Sequence, residues 1–571
     1  MANDPCLSAL GMIALTSLSL LSTSCDKFEP PGANSGDSAA RSSAAAPGSA
    51  PIPKAEPSSP SAAASSAPVS QTPAESPPHP GPWLTLLTPS AAIYASPNAE
   101  RAVKLGYAQS GAKIPVTGKP RPGEKCSAGW LEVVGGGFIC SAAGTLDEKD
   151  GRTKFTIRRP DLTKVLPYTY ARNAKNGTPL YRTIPTRAQM LEYEPYLKKD
   201  AEPKEPVDTT NETTGGGAKA AEASSAGGGP NASASSANGG TAPAPLIQVD
   251  AGVPPGNEAS EEKPWWQRDG IDEKLHEIQL SDLREGADGV LALRMVKGFY
   301  VAVDRTFHWH GRTWYKTTKG LVAPADRMGQ AAPSDFHGVE IGASYQLPVG
   351  WVYGGREKTQ TYEIESEKKR VKPVGTVARF EPLALTDQTL DVGGTIYRQM
   401  KDGKWVRNAH VRVTEPGTAP ADLRTGEHWV DVDLSSQTLV VFEGNNPIYA
   451  TLISSGKSSK LKDKDHSTPT GQWRIREKHV TATMDGDGTA AGDQPYSIED
   501  VPFVMYFHKS YALHGAFWHR NYGVQMSHGC VNLAPLDAKA VFNRTEPALP
   551  NDWHGAWSSN DRMGSWVVVH E

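Results

Sequence analysis

Hydrophobic and polar positions alternate in short runs along most of the chain, which is the pattern of half-buried β-strands rather than of helices. In residues 83–150 these runs are interrupted every few positions by Gly, Pro and Asn, which predicts a small barrel of antiparallel strands. A tryptophan, a short apolar run, a turn and a second apolar pair recur around Trp130, Trp314 and Trp405. The recurrence predicts three related β regions, at residues 83–150, at 151–200 together with 263–335, and at 336–420.

The pattern changes near residue 421, where a longer domain, residues 421–571, begins. Residues 430–453 hold three apolar runs separated by two polar turns, and the first run alternates at Val430, Val432 and Leu434. These features predict a β-meander. Later, Pro535 stands where a helix can begin, and Leu536, Ala540 and Val541 share one helical face. The predicted fold class is therefore a mostly β, multidomain protein with a helix after Cys530.

Two stretches have a composition that does not support a packed core. Residues 26–82 and 201–262 consist mainly of Ala, Ser, Pro and Gly. Such segments bury too little apolar surface to offset the conformational entropy lost on ordering. We expect the first to be a disordered tether and the second a disordered linker that divides the second β region.

The first 25 residues contain the one long apolar run, residues 6–25, which is rich in Ser and Thr and predicts a secretory signal peptide. The run ends at Cys25 after three small residues and resembles a bacterial lipobox, in which the cysteine is acylated. Ser22 departs from that pattern, and so do residues 2–5, which lack a positive charge. We expect export to the periplasm and a lipid anchor on Cys25 that attaches the chain to a membrane; cleavage without lipidation is the alternative.

Charge and residue spacing argue against two other kinds of partner. The formal net charge is -4, with 59 basic and 63 acidic residues, and no basic run or basic stripe with aromatic residues occurs, so a nucleic-acid partner is not expected. The acidic run at residues 485–488 lacks the later carboxylates of a calcium loop. We predict no metal and no cofactor; the oligomeric state is not determined by these patterns.

The five cysteines of the sequence divide by position. Cys6 lies in the predicted signal, and Cys25 is the candidate lipid site. Cys126 and Cys140 are close together in one small domain of a chain expected to be exported, so we predict a disulfide between them. Cys530 is left as an odd thiol, which in an oxidising compartment favours a reactive role over a structural one.

Cys530 lies in the sequence SHGCVNL, residues 527–533, sixteen positions beyond His514. A catalytic cysteine requires a base, backbone donors for an oxyanion and a rigid support. Gly529 allows a sharp turn just before the cysteine. His514 ends a predicted strand from which an imidazole can reach Cys530, whereas His528 either faces the thiol or points away and braces the loop.

The sequence LHG at 513–515, followed twelve positions later by SHGCVNL, with STPTGQW at 467–473, resembles the signature of the L,D-transpeptidase catalytic domain, the YkuD fold. The resemblance implies that Cys530 is the nucleophile and His514 the base. It also implies that Gly515 supplies an orienting carbonyl and that the amides of Gly529 and Cys530 form the oxyanion hole. Four further residues are expected to shape the substrate pocket: Ser527, His528, Asn532 and Gly523.

The same resemblance implies a reaction on peptidoglycan stem peptides. Cys530 would form a thioester with a tetrapeptide donor, release D-Ala and pass the acyl group to an amine. Residues 480–501 depart from the family pattern as an insertion where a flap over the substrate is expected, so the acceptor is not transferred from the family. Two alternatives stay open: an L,D-carboxypeptidase or a hydrolase of wall attachments that uses the same cysteine, and a wall-binding scaffold with an idle enzyme domain.

The three β regions resemble the bacterial SH3-like domains that often precede wall-active enzymes. The resemblance rests on a few aromatic and glycine positions in each region, such as Trp130 and Gly129. Any β-hairpin that contains a tryptophan would give a similar pattern. We therefore expect small SH3-like β-barrels before the catalytic domain, with the disulfide closing the last hairpin of the first barrel.

Overall fold

The computed structural model describes residues 81–199, 263–286, 289–368, 370–486 and 494–571. The predicted signal peptide, the lipidation site Cys25, the linker at 201–262 and nearly all of the tether at 26–82 lie outside the described residues. Within the described part of the chain, no helix is long and apolar enough to cross a membrane. Residues Trp83–Glu571 form one unit of contiguous contacts.

The first β region is built from seven strands around a core that includes Leu84, Ile93 and Ile114. Glycine, proline or asparagine follows within a few positions of several of these strands, as at Pro89, Gly111 and Gly135. The disulfide between Cys126 and Cys140 is present, which confirms that prediction, and it lies at the hairpin of the fifth and sixth strands. The strands are β1 (Trp83–Leu86), β2 (Ser90–Tyr94), β3 (Lys104–Gln109), β4 (Lys113–Arg121), β5 (Trp130–Val133), β6 (Phe138–Cys140) and β7 (Gly144–Thr145).

The second β region draws its strands from both sides of residues 201–262. The elements before it are β8 (Thr169–Asn173), β9 (Thr178–Tyr181), α1 (Arg187–Tyr193) and α2 (Tyr196–Lys199). Those after it are α3 (Ile271–Lys274), β10 (Leu291–Met295), β11 (Tyr300–Trp309), β12 (Arg312–Thr317), β13 (Val322–Pro324) and β14 (Met328–Gln330). Strand β8 pairs with β11 and β14, and β9 pairs with β10 and β13. The two halves therefore share one sheet.

The first strand of residues 336–420 pairs with the C-terminal domain and not with the rest of its own region. Strand β15 (Val339–Glu340) is the edge of the six-stranded sheet of the C-terminal domain. The remaining strands form a separate seven-stranded sheet around Leu385 and Val406. They are β16 (Val349–Val352), β17 (Lys358–Glu365), β18 (Arg370–Ala378), β19 (Pro382–Val392), β20 (Thr395–Met400), β21 (Trp405–Arg407) and β22 (Val411–Val413).

The C-terminal domain packs two sheets and one helix around a core that includes Val430, Met505 and Val541. Helix α4 (Pro535–Arg544) begins at Pro535, which confirms the predicted helix after Cys530. The strands are β23 (His428–Asp433), β24 (Thr438–Glu443), β25 (Asn446–Leu452), β26 (Gly471–Arg474), β27 (Glu477–Gly486), β28 (Tyr496–His508), β29 (Tyr511–Gly515), β30 (Val531–Leu533), β31 (Gly555–Trp557) and β32 (Trp566–His570). The mostly β fold class is confirmed, while the SH3-like assignment of the preceding regions stays a prediction.

The predicted meander is present as β23, β24 and β25, paired in antiparallel order. Its first strand is buried on both faces, whereas alternation predicted one face toward solvent. Val430 and Val432 face the main core, and Trp429 on the opposite face packs in a second cluster with Trp351 of the third β region. Asp431, between them, is buried and contacts His570. The sequence pattern could not show that another region covers this face.

Candidate active site

Strands β29 and β30 bring the two predicted catalytic residues, His514 and Cys530, together in the sheet that also contains β27 and β28. They pair in parallel, with His514 in register with Asn532, and Cys530 is the residue immediately before β30. The Cys530 side chain is half-buried and packs against an apolar cluster that includes Ala512 and Phe517. Its sulfur lies 3.7 Å from the Ser510 carbonyl oxygen. The pairing thus places a thiol and an imidazole on neighbouring chain segments.

His514 is almost fully buried, with 2% of its surface exposed. Burial lowers the pKa of its imidazole to about 4, because desolvation disfavours the charged form. A contact with the Gly515 backbone offsets part of this effect, but among the described residues Nδ1 of His514 makes no hydrogen bond of good geometry. At neutral pH the ring is therefore neutral and able to accept a proton.

The turn before the cysteine is held by Ser527. Its hydroxyl donates to the Cys530 carbonyl and accepts from the Gly529 N–H at 3.1 Å. Gly529 has φ +120°, and a Cβ there would come within 2.4 Å of the Tyr511 ring, so this position requires glycine. An oxyanion role for the Gly529 amide therefore requires the amide to leave or share its bond to Ser527.

Residues 454–456 form a support for the cysteine loop to which the sequence patterns assigned no function. Ser454 exchanges two backbone hydrogen bonds of 2.9 Å with Asn532, and Gly456 bridges to Ser527. A Cβ on Gly456 would lie 1.9 Å from the His466 carbonyl oxygen. The signal available in the sequence is the Ser-Ser-Gly that ends the meander, since a glycine after a buried strand marks a close backbone approach.

Thr468, in the STPTGQW segment of the family signature, connects the cysteine turn to residues 454–456. Its hydroxyl donates to the Gly529 carbonyl at 2.7 Å and accepts from the Gly456 N–H at 2.9 Å. The side chain is 4% exposed. Because one hydroxyl bonds two buried backbone groups, Thr468 fixes the position of the turn that carries Cys530 relative to residues 454–456.

His528 points away from the core, and its side chain is exposed. Its ring stacks on Tyr496 with centroids 5.4 Å apart and meets the His466 ring edge-on at 4.7 Å. Tyr496 begins β28, which pairs with β27 as a long hairpin at the position of the expected flap; residues 487–493 at its end lie outside the described residues. These two ring contacts connect the cysteine turn to β28 and to residue 466, and the predicted part of His528 in the substrate pocket stays a prediction.

Asn532 is buried beside a histidine that sequence reasoning left out of the site. Its side-chain nitrogen lies 3.0 Å from Nε2 of His519, and its Oδ1 is buried and has no hydrogen bond among the described residues. The Asn521 N–H donates to Nδ1 of His519 at 3.3 Å, so a neutral His519 carries its proton on Nε2. Rotating the Asn532 amide would let Oδ1 accept that proton and remove the unpaired oxygen.

The two remaining predicted glycines have packing explanations. Gly515 is buried at the end of β29, where a Cβ would lie 3.0 Å from the Pro502 side chain. Gly523 has φ +88°, and a Cβ there would lie 2.6 Å from Cβ of Tyr353; its carbonyl accepts from Arg412 at 2.9 Å. These contacts account for the glycines, and the predicted part of Gly523 in substrate binding stays a prediction.

Comparison with known proteins identifies the domain that carries this site. Residues 427–569 match the family model of the L,D-transpeptidase catalytic domain, YkuD. These residues form a YkuD domain. The match confirms the resemblance drawn from LHG and SHGCVNL and leaves the preceding β regions unassigned. No curated protein matches the chain.

Solved L,D-transpeptidase structures are similar to part of the chain. A cysteine-to-serine mutant of the Enterococcus faecium enzyme is 23% identical over 28% of this chain and 55% of its own length, with a TM-score of 0.20. The catalytic domain from E. faecium is 24% identical over 26% of this chain and all of its own length, with a TM-score of 0.20. The Mycobacterium smegmatis enzyme is 17% identical over 40% of this chain and 98% of its own length, with a TM-score of 0.20. This chain thus spans about half the length of the first.

Within the YkuD domain, His514, Ser527, Gly529, Cys530 and Asn532 lie in one local arrangement of β29, the cysteine turn and β30. In the described parts of the chain, no group of three or more His, Cys, Asp or Glu side chains is arranged to hold a metal ion. The chemistry available from the residues present is a thiol nucleophile, a neutral imidazole base and backbone donors.

Proposed function

We propose that the protein is a peptidoglycan L,D-transpeptidase with Cys530 as nucleophile and His514 as base. The observation that carries the proposal is the parallel pairing of β29 with β30, which sets His514 beside the chain segment that begins at Cys530. The YkuD match over residues 427–569 supports the same class of reaction. The substrate class, a peptide stem of the cell wall, comes from the family.

The reaction proceeds in two acyl transfers. The Cys530 thiol gives its proton to His514, and the sulfur attacks the carbonyl carbon that precedes the terminal D-Ala of a tetrapeptide donor. Collapse of the tetrahedral intermediate breaks the C–N bond, D-Ala leaves with the proton from His514, and a thioester remains. An amine of a second stem then attacks the thioester carbonyl carbon, a new amide forms as the C–S bond breaks, and a proton lost by the amine restores the thiol.

Burial of His514 favours the neutral imidazole that accepts a proton and disfavours the protonated imidazolium. A pKa of about 4 keeps the imidazole neutral and ready to accept a proton at neutral pH. The same low pKa makes a lasting thiolate–imidazolium pair unfavourable, so we propose that proton transfer accompanies attack on the donor rather than precedes it.

The test is mass spectrometry of tetrapeptide muropeptides incubated with the wild-type protein and, as the matched control, with Cys530→Ala. The proposal expects a dimer lighter than two monomers by one D-Ala from the wild type alone. Tripeptide monomers without dimer would show that water is the acceptor, and identical products from the two proteins would refute catalysis by Cys530. A carbapenem should add its mass to the wild type and leave Cys530→Ala unmodified.

The proposal includes a place of action. We propose that the exported protein is held at a membrane through a lipid on Cys25 and acts on the wall from the periplasm. The support is the sequence of residues 6–25 alone. Palmitate labelling of cells that express the wild type or Cys25→Ala would test it, since only the wild type should take up label.

A further inference from the structure

A groove of about 350 Å³ runs between the second β region and the YkuD domain. Arg172 of β8, Tyr300 of β11 and Gln330 of β14 line one side, while Phe517 and Trp518 line the other. Because strands of the second β region build one wall and the loop after β29 builds the other, neither domain alone contains the groove.

The groove leads to the catalytic histidine through a series of aromatic contacts. The rings of Tyr300 and Phe517 meet edge-on at 5.3 Å, and those of Phe517 and Trp518 at 5.2 Å. The Trp518 ring stacks on His514 at 5.7 Å with an interplanar angle of 30°. Tyr300, Trp518 and Cys530 also pack against the same apolar cluster. A ligand in the groove therefore contacts Trp518, whose ring stacks on His514.

The wall of the groove that the second β region forms carries one positive charge. Of the described residues that line it, Arg172 alone carries a charge, and none of the ion pairs among the described residues includes this arginine. Arg172 lies in register with Tyr300 across the β8–β11 pair. Burial raises the pKa of the Tyr300 hydroxyl, and the positive charge of Arg172 counters that rise, so the guanidinium lies close to the Tyr300 side chain.

The rim of the groove is already fixed by hydrogen bonds. The Ala331 N–H donates to the Tyr170 carbonyl at 2.9 Å, and the Arg520 guanidinium donates to the Pro333 carbonyl at 3.1 Å. Residues 331–333 are thus tied to the second β region at one end and to the segment after Trp518 at the other. A groove formed before binding loses less conformational entropy when a ligand enters.

We propose that this groove binds the peptide of the substrate and that Arg172 pairs with one of its carboxylates. The inference rests on the proposed function, and it makes the second β region part of the substrate site. A planar guanidinium matches a carboxylate with two parallel hydrogen bonds, and the aromatic rings of Tyr300 and Trp518 offer apolar faces to the methyl and methylene groups of a short peptide. The charge of Arg172 and the stacking of Trp518 on His514 both favour a carboxylate-bearing peptide as the occupant.

The test measures binding to the full chain carrying Cys530→Ser, which cannot form the thioester. The probes are a tetrapeptide muropeptide and the same compound with its carboxylates converted to carboxamides. A charge-assisted hydrogen bond changes affinity by about tenfold or more, so Arg172→Gln should weaken binding of the acid by about tenfold and bind acid and amide alike. Arg172→Lys should recover part of the loss. Arg187→Gln, which removes an exposed charge on α1 outside the groove, is the matched control and should bind as the parent does.

The outcomes separate this inference from the proposed function. Equal Kd values for the acid in Arg172→Gln and its parent, or continued discrimination of acid from amide by Arg172→Gln, would overturn the role of Arg172. The proposed function is read independently, from acylation of Cys530 in the otherwise wild-type chain. If binding depends on Arg172 but Cys530 is never acylated, the groove inference stands and the transpeptidase proposal is refuted. If Cys530 is acylated with the same KM in Arg172→Gln as in the wild type, the transpeptidase proposal stands and the groove inference is refuted.

Discussion

Replacing Thr468 with valine tests directly how the cysteine turn is held. Valine keeps nearly the shape of threonine but has no hydroxyl, so the change removes the bonds to the Gly529 carbonyl and the Gly456 N–H without opening a cavity. Both glycines are buried, and neither backbone group can exchange its lost partner for solvent. The perturbation is thus confined to two hydrogen bonds.

The expected cost follows from those two groups. A buried polar group left unpaired costs about 1–3 kcal/mol, so two give about 2–6 kcal/mol. The loss of stability should be confined to these two segments, because Thr468 joins residues 454–456 to the cysteine turn. The assay is hydrogen exchange of peptides that cover 453–457 and 527–533, together with the rate at which a carbapenem acylates Cys530. We expect faster exchange in both peptides and slower acylation.

Thr468→Ser provides the control, since serine retains the hydroxyl and loses only a methyl group. It should resemble the wild type in both measurements. The reasoning is refuted if Thr468→Val exchanges as slowly as the wild type in these peptides, or if Thr468→Ser is as impaired as Thr468→Val. The second result would show that the methyl contact, rather than the hydroxyl, holds the turn.

Three further changes test other parts of the structure. Gly529→Ala places a Cβ 2.4 Å from the Tyr511 ring at φ +120°; backbone strain of about 1–3 kcal/mol should slow acylation at least tenfold, and an unchanged rate would contradict the geometry. Burial raises the pKa of Glu499 to about 8, above its unfolded value. The stability that the protonated carboxyl contributes is therefore complete below pH 4.5 and is lost as pH rises through 8. Glu499→Gln should make Tm depend less on pH between these values, and an unaltered slope of Tm against pH would rule this out. Reducing the Cys126–Cys140 disulfide, which spans 14 positions, should lower the stability of the first β region by about 3 kcal/mol, and equal denaturation midpoints with and without reductant would contradict it.

Features that depend on neighbouring residues were predictable from the sequence. Pro535 and the apolar face behind it predict α4 because a helix start is a local signal. The turn before Cys530 follows from Gly529, whose positive φ only glycine adopts readily. The disulfide required only two nearby cysteines in one small domain and an oxidising compartment. In each case the residues that decide the structure lie within about a dozen positions of one another.

Contacts between distant segments could not be predicted in the same way. Thr468 is visible in the TPTG turn, but its partner Gly529 lies 61 positions later, and no periodicity encodes that distance. His519 follows the catalytic strand without a motif of its own, and its contact with Asn532 arises because a loop folds back over β30. The burial of both faces of β23 likewise required the third β region, whose covering side chains lie nearly 80 positions away.

The second β region is bound to the YkuD domain by buried polar contacts with strand β28. Tyr300 pairs with Ile498 of β28, and the Ala302 N–H donates to the Glu499 carboxyl at 3.0 Å. Lys319 lies 3.4 Å from Asp500, whose carbonyl accepts from the Tyr170 hydroxyl. A buried network of this kind is costly to break, because each partner would be left without its bond.

This coupling bears on the choice between an enzyme and a scaffold. Strand β28 begins at Tyr496, which stacks on His528 two positions before Cys530, so a displacement of the second β region would be transmitted through β28 to the cysteine turn. A β region that served only to hold the wall would need no such connection. Because the second β region pairs with β28 and shares a groove with Trp518, the proposed peptide binding and the proposed acyl transfer would depend on the same two regions. Substitutions at Lys319 should therefore alter KM for the donor as well as stability, whereas a pure scaffold would show the stability change alone.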